Sequence, residues 1–382
     1  GELLVNGTTS SGQLTVTASL NLPASKVAGE ASIQLSGDYA SKGSLQTQRV
    51  PFRLVKDLLS GAADPAKEEP WSVRGFVEAS VAWQGPLAEP KKGSAVVTVK
   101  TLQVRPRDTQ LLETQADTSD LTLRNEGPLV MEVDANSARI RSAKVTALDT
   151  SLEVTGSYQF PAKNPWNVNV KGSANLAILG SFRPDLVSTG TAAIDASVRG
   201  TAADPQLSGR MSIQKASFFL KDLPNGIENA TGTVYFEKNR ANIEKLTGQT
   251  GGGKFTINGF VGVAGQDLTY RLQATAESVR VRYPEGVSTT VDASLTLTGF
   301  TQRSLLAGTV TIQRSGFDSG SDLASMVGTS GNPIPSAATQ HEFLRNLQFD
   351  VRIRTTPDAV FQSSYTQDLQ AEADLRLRGS PA

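Results

Sequence analysis

The chain has 382 residues, with 37 basic and 37 acidic side chains and no cysteine. Balanced charge excludes the electrostatic footprint of a nucleic-acid binder, and the lack of thiols excludes a disulfide framework or a thiolate metal site. Hydrophobic residues make up 38% and aromatics 6%, a supply that suits strands burying one face each rather than a thick core. No run approaches the roughly 20 apolar residues of a membrane helix. Because strand patterning starts almost at Gly1, the expectation is a piece of a longer protein whose targeting information lies outside it.

In chain order, Leu14, Val16, Ala18 and Leu20 alternate with polar residues, and Ala31, Ile33 and Leu35 do so again. Residues two apart in a strand share a face, so both segments predict half-buried strands. After Pro51 the spacing changes to three and four at Phe52, Val55, Leu58 and Leu59, which predicts a short amphipathic helix ending at Gly61. Ala62–Pro70 reads as a polar loop. Strands are predicted at Val77–Trp83, Val97 and Val99, Leu121 and Leu123, Val130–Val133, Ile140–Val145, and Leu152 and Val154. The three-residue spacing of Leu176, Leu179 and Phe182 predicts a helical turn before Pro184.

The most regular stretch runs from Ala192 to Ala276. Its apolar positions are Ala192, Ile194, Ala196 and Val198, then Met211 and Ile213, then Phe255, Ile257 and Val261, then Leu268, Tyr270, Leu272, Ala274 and Ala276. Val291, Leu295, Leu297, Val310 and Ile312 continue the alternation. Ser315–Gln340 is Ser/Gly/Pro-rich and predicts a long loop with one helical turn near Leu323–Val327. Strands return at Leu347–Ile353, Ala359–Phe361 and Leu369–Leu377.

Self-comparison adds order to this list. Val77–Gly85, Ala192–Gly200, Val291–Gly299 and Ala371–Gly379 are four copies of one strand, each with four alternate apolar positions closed by glycine. A second series links Gly12–Thr17, Thr150–Gly156 and Gly253–Gly259. A repeated supersecondary unit predicts a quasi-linear array of sheet segments. The divisions expected are 1–61, a partial repeat ending in the helix; 62–184 and 185–314, two full repeats; 315–342, the loop; and 343–382, a partial repeat.

The succession Gly200–Phe218, Ile227–Phe236 and Leu246–Gly259, with Asp204-Pro205 and Gly251-Gly252-Gly253 at its turns, resembles the repeat of TamB-type proteins. These belong to the AsmA-like group of Gram-negative envelope proteins, related in design to bridge-like lipid-transfer proteins. The resemblance implies an all-β fold, an elongated antiparallel sheet curled into a taco-like trough with a few short helices. It also implies a periplasmic, inner-membrane-anchored bridge that carries phospholipid or assists outer-membrane biogenesis beside an Omp85-type, TamA-like barrel. The third repeat, after Gly299, lacks the Asp-Pro turn, and neither an anchor nor a terminal barrel-contacting domain is recognisable.

Strands with one apolar face can close as a barrel, pair as a sandwich, or curl around apolar cargo. By themselves such faces read as core; with the resemblance, the expectation becomes a lipid-lining face. Its residues are Ala192, Ile194, Val198, Met211, Ile213, Phe255, Ile257, Val261, Leu268, Tyr270, Leu272, Val291, Leu295, Leu297, Val310 and Ile312. The helix at Phe52–Leu59 would plug or rim the trough. The alternatives are a structural or adhesive β-repeat protein with a dry core, and a chaperone-like platform that engages partners at a sheet edge.

Other constellations favour no chemistry. Arg280/Arg282, Arg352/Arg354 and Arg376/Arg378 alternate with apolar residues and read first as a solvated strand face, second as a cationic stripe toward phosphate headgroups. His341 is the only histidine, which argues against a transition-metal site and a Ser-His triad. Asp318 and Asp322 lack the further acidic ligands of a calcium loop. Gly251-Gly252-Gly253 has no following lysine-Ser/Thr pair and reads as a turn. No catalytic role, cofactor or metal is expected.

Overall fold

In the computed structural model, the described residues are 1–52, 74–105, 121–160, 162–163, 165–181, 185–201, 204–220, 225–264, 267–282, 286–317, 346–362, 369–370 and 372–380. Their elements are strands and two 3₁₀ turns, Pro90–Lys92 and Leu176–Ser181. The protein is all-β. It divides into two compact units: Gly1–Pro184 with Ala193–Gln206, and Asp185–Ala192 with Leu207–Ala382.

The first unit contains β1 (Glu2–Ser10), β2 (Gln13–Leu22), β3 (Ser25–Gln34), β4 (Ala40–Gln48), β5 (Val50–Pro51), β6 (Arg74–Pro86) and β7 (Ser94–Arg105). It continues with β8 (Leu123–Asn125), β9 (Leu129–Val133), β10 (Ser137–Ser142), β11 (Lys144–Ala147), β12 (Thr150–Gln159) and β13 (Trp166–Asn175). Antiparallel pairing runs β1–β2–β3–β4–β6–β7–β9–β10–β12–β13. Short strands such as β8, which pairs with both β7 and β11, fill in beside this meander. Residues of β14 (Leu186–Gly200) fall in both units.

The second unit is more regular. After β15 (Pro205–Leu220) come β16 (Ile227–Lys238), β17 (Arg240–Thr250), β18 (Gly253–Ala264), β19 (Asp267–Val281), β20 (Val287–Phe300) and β21 (Arg303–Phe317). Each pairs antiparallel with the next. β22 (Leu347–Gln362) then lies parallel to β21, and β23 (Leu369–Gln370) and β24 (Asp374–Gly379) pair antiparallel with β22.

The repeat reading maps onto this order. The four copies fall in β6, β14, β20 and at β24, and their closing glycines Gly85, Gly200, Gly299 and Gly379 all have positive φ, from 98° to 151°. L side chains rarely adopt that conformation, which explains why glycine recurs there. The second series occupies β2, β12 and β18. Gly251 and Gly252 form the two-residue turn between β17 and β18 with φ of 54° and 79°, the geometry of a tight hairpin.

Three expectations are revised. The helical turn at Leu176 is a 3₁₀ turn over Leu176–Ser181, consistent with its three-residue spacing. Leu347–Ile353 and Ala359–Phe361 belong to one strand, β22: Thr355 pairs with Ile312 and Val360 with Arg314, so Thr356–Ala359 are accommodated in a register shift. A bulge is where a strand tolerates a residue such as Pro357. The expected loop from Ser315 begins later, because β21 extends to Phe317; Ser315 is buried and its hydroxyl lies 2.9 Å from that of Thr289 across the strands. The Phe52–Leu59 helix beyond Phe52, the Ala62–Pro70 loop, Asp318, Asp322, His341 and the helical turn near Leu323 lie outside the described residues.

Candidate apolar binding face

Directly paired residues in a ladder point to the same side of a sheet, so register decides which alternating positions meet. In the second unit one row runs Met211–Val234–Ile243–Gly259–Leu272–Leu297–Leu306–Phe349 from β15 to β22. The neighbouring row runs Ile213–Gly232–Leu246–Ile257–Ala274–Leu295–Gly308–Val351–Leu377 and reaches β24. A third contains Phe255, Ala276, Ala293, Val310, Ile353 and Leu375. Val261 pairs with Tyr270, Leu268 with Val263, and Val291 with Ile312.

Thirteen of the predicted lining residues, all those from Met211 onward, therefore share one face of one sheet. Ala192, Ile194 and Val198 share a face of β14 by its period of two. Burial across the face is uneven. Phe255 and Tyr270 are 8% and 9% exposed, Leu268 is 48% exposed, and Leu272, Leu295, Leu297, Val310 and Ile312 are half-buried. Phe255 is covered because its ring sits over Gly248, where an added Cβ would lie 2.8 Å from the ring. Tyr270 donates its hydroxyl hydrogen bond to the Phe300 carbonyl at 3.0 Å, beside Ser304 Oγ, which is also hydrogen-bonded there. That polar pair closes one margin of the apolar rows without leaving a bare donor.

The opposite face is polar. Thr275, Ser294, Thr309, Arg352 and Arg376 form one row, and Gln273, Thr296, Ala307, Asp350 and Arg378 the next. Arg352 faces Arg376 directly, an arrangement that is repulsive alone. Acids on the diagonal resolve it: Arg376 donates to both Asp350 oxygens at 2.7 and 2.8 Å, and Arg378 to the same carboxylate at 3.3 Å. Arg352 makes the equivalent paired contact with Asp374. Hydrogen bonds from Arg376 chiefly hold the Asp350 carboxyl down at about 2. Asp374 is lowered in the same way by Arg352. The arginines of β22 and β24 are thus structural partners of aspartates, and Arg354 caps Thr311 at 3.1 Å.

Residues read from sequence as strand positions but not assigned to the lining, with others between them, build a similar face in the first unit. Val16, Ala31, Gly43, Trp83, Ala95, Val133, Ala138, Tyr158 and Trp166 form one row across β2 to β13. Next to it run Ala18, Gly29, Leu45, Val81, Val97, Met131, Ile140, Gly156 and Val168. A cavity of about 660 Å³ opens beside Trp83, Pro86, Leu87, Val133 and Phe160. Tyr158 packs against Phe160 and edge-on against Trp166, with centroids 5.1 and 5.8 Å away. The signal was the same alternation, diluted by Gly and Ala.

Among the described residues no group of three or more His, Cys, Asp or Glu side chains could hold a metal, and no helix is long and apolar enough to cross a membrane.

A one-sided β-sheet with a continuous apolar face defines a class of surfaces suited to apolar cargo or partners. Residues 242–382 match the TamB C-terminal domain. The match covers β18–β24 and nearly all of β17, the strands with the longest apolar rows. No curated protein and no solved structure matched the chain.

Proposed function

We propose that the chain is a periplasmic β-groove segment that shields phospholipid acyl chains between the inner and outer membranes. The observation that carries this reading is the half-buried state of Leu272, Leu295, Leu297, Leu306, Val310 and Ile312 across adjoining strands. A sheet face packed against a second layer would make such residues nearly inaccessible. Here they keep apolar surface that an acyl chain would remove from water, at about 0.8 kcal/mol per methylene. The rows offer no fixed polar anchor along Leu272–Leu297–Leu306, so a chain could slide along them, as transport requires. The taco-like curl, a membrane anchor outside this sequence and a TamA-like Omp85 barrel as partner belong to the same proposal.

The test is lipid extraction and native mass spectrometry on the purified chain and on Leu295→Asp/Leu297→Asp. Phospholipid bound to the wild type and lost from a still-folded variant is the expected result. A lipid-free wild type with an unfolded variant would overturn the reading and leave a structural or chaperone-like β scaffold, since a charge buried without a partner costs several kcal/mol.

A further inference from the structure

The two sets of arginines on the polar face of the second unit are not equivalent. Arg352 of β22 and Arg376 and Arg378 of β24 are committed to Asp374 and Asp350. Arg280, Arg282 and Arg314 instead line a polar cavity of about 810 Å³ with Asn225, Glu228, Gly251, Ser278 and Thr290, and none of the three is in an ion pair among the described residues. Among the described residues, three arginines against one glutamate leave this lining two positive charges in excess. We propose that this cavity is a binding site for a phosphate group, from a lipid headgroup or from a free phosphate.

The geometry comes from the ladder. Arg280 pairs with Thr290 and Thr290 with Arg314, so the two arginines flank a hydroxyl-bearing strand with their Cα atoms about 10 Å apart. Guanidinium groups approaching from both sides can present paired N–H donors to one tetrahedral anion, with the Thr290 hydroxyl between them. The backbone of Arg280 is fixed independently of its side chain. Its N–H donates to the Gly251 carbonyl at 3.1 Å, and its carbonyl accepts from Asn225 Nδ2 at 2.8 Å. The contact requires glycine at 251, because a Cβ there would lie 2.1 Å from the Arg280 carbonyl oxygen.

The nearby acid does not neutralise the cluster. Asp292 accepts from the Ser278 N–H at 2.8 Å and from Gln313 Nε2 at 2.6 Å, and among the described residues it forms no ion pair with the three arginines. Phe219, 41% exposed, places apolar surface at the cavity margin, a setting that suits an amphipathic phosphate ester as well as the free anion. The site is on the polar face and does not depend on acyl chains entering the apolar rows.

The test uses the full chain and two probes: inorganic phosphate by titration calorimetry, and phosphatidylglycerol vesicles by flotation at low and high salt. Arg280→Gln/Arg314→Gln is expected to weaken binding roughly tenfold or more, the effect of losing one or two charge-assisted hydrogen bonds. Arg210→Gln/Arg271→Gln removes two exposed arginines elsewhere on the same face and is expected to change it by less than about twofold. Loss toward vesicles alone assigns the site to a lipid headgroup; loss toward both probes assigns it to the phosphate group in general. Circular dichroism checks the fold, and if the double variant unfolds, Arg282→Gln, which lies just beyond β19, replaces it with an expected loss of about threefold. Binding of neither probe by the wild type, or equal losses in the cavity and control variants, would overturn the site.

Discussion

β20 and β24 carry copies of the same repeated strand, yet their apolar residues have different surroundings. Leu295 and Leu297 of β20 have paired neighbours on both sides and are half-buried. Leu375 and Leu377 of β24 pair only with β22 and are 62% and 48% exposed. The alternation is the same. What differs is the number of lateral neighbours, so burial on this face is contributed across the sheet rather than by a layer stacked upon it. On the opposite face of β24, Asp350 and Asp374 hold its arginines and Arg352.

This comparison can be broken at its covered end first. Phe255→Ala should destabilise the second unit by about 2–3 kcal/mol in urea unfolding, below the usual core value because only one face of the sheet covers the ring. A change below about 0.5 kcal/mol would mean that the Phe255–Gly248 contact is not formed. Tyr270→Phe should cost about 1 kcal/mol by loss of the hydroxyl bonds at Phe300 and Ser304. Leu375→Ala and Leu377→Ala should each stay within about 0.5 kcal/mol, as expected for exposed positions; a cost like that at Phe255 would show that β24 is covered after all.

The ion-pair side has its own signature. Asp350 is held at about 2 against an ordinary 3.8, so its contribution is complete above the ordinary value and is lost as the pH falls through about 2. Amide shifts of β24 followed by NMR should therefore move between about pH 4 and pH 2. Arg376→Gln should raise the midpoint toward 3.8, by removing the strongest of the bonds to Asp350. An unchanged midpoint would contradict the assigned pairing.

Much of the fold was legible because a period of two is local: Leu268, Tyr270, Leu272 and Ala274 announce a shared face without knowledge of any neighbour. Repeat copies closed by Gly85, Gly200, Gly299 and Gly379 were legible for the same reason. Register was not. That Leu272, Leu297, Leu306 and Phe349 form one row depends on a parallel step between β21 and β22, which alternation does not encode. The shift that keeps Pro357 within β22 was hidden because proline ordinarily ends a strand. The division of the arginines was equally hidden, since Asp350 meets Arg376 across strands while Arg280 and Arg314 are gathered by their common neighbour Thr290. Diluted rows such as Val16–Ala31–Gly43–Trp83 were read as strands but not joined into one lining, because small residues weaken the apolar signal although the face continues through them.

The most direct test of the central claim compares adjacent residues of one strand that point to opposite faces. With p-benzoylphenylalanine in place of Leu297 or Thr296, irradiation of the chain in cells followed by mass spectrometry reports what each face touches. A phospholipid adduct from position 297 and none from position 296 is the predicted result. Equal adducts from both positions, or protein adducts alone from position 297, would contradict an acyl-chain groove.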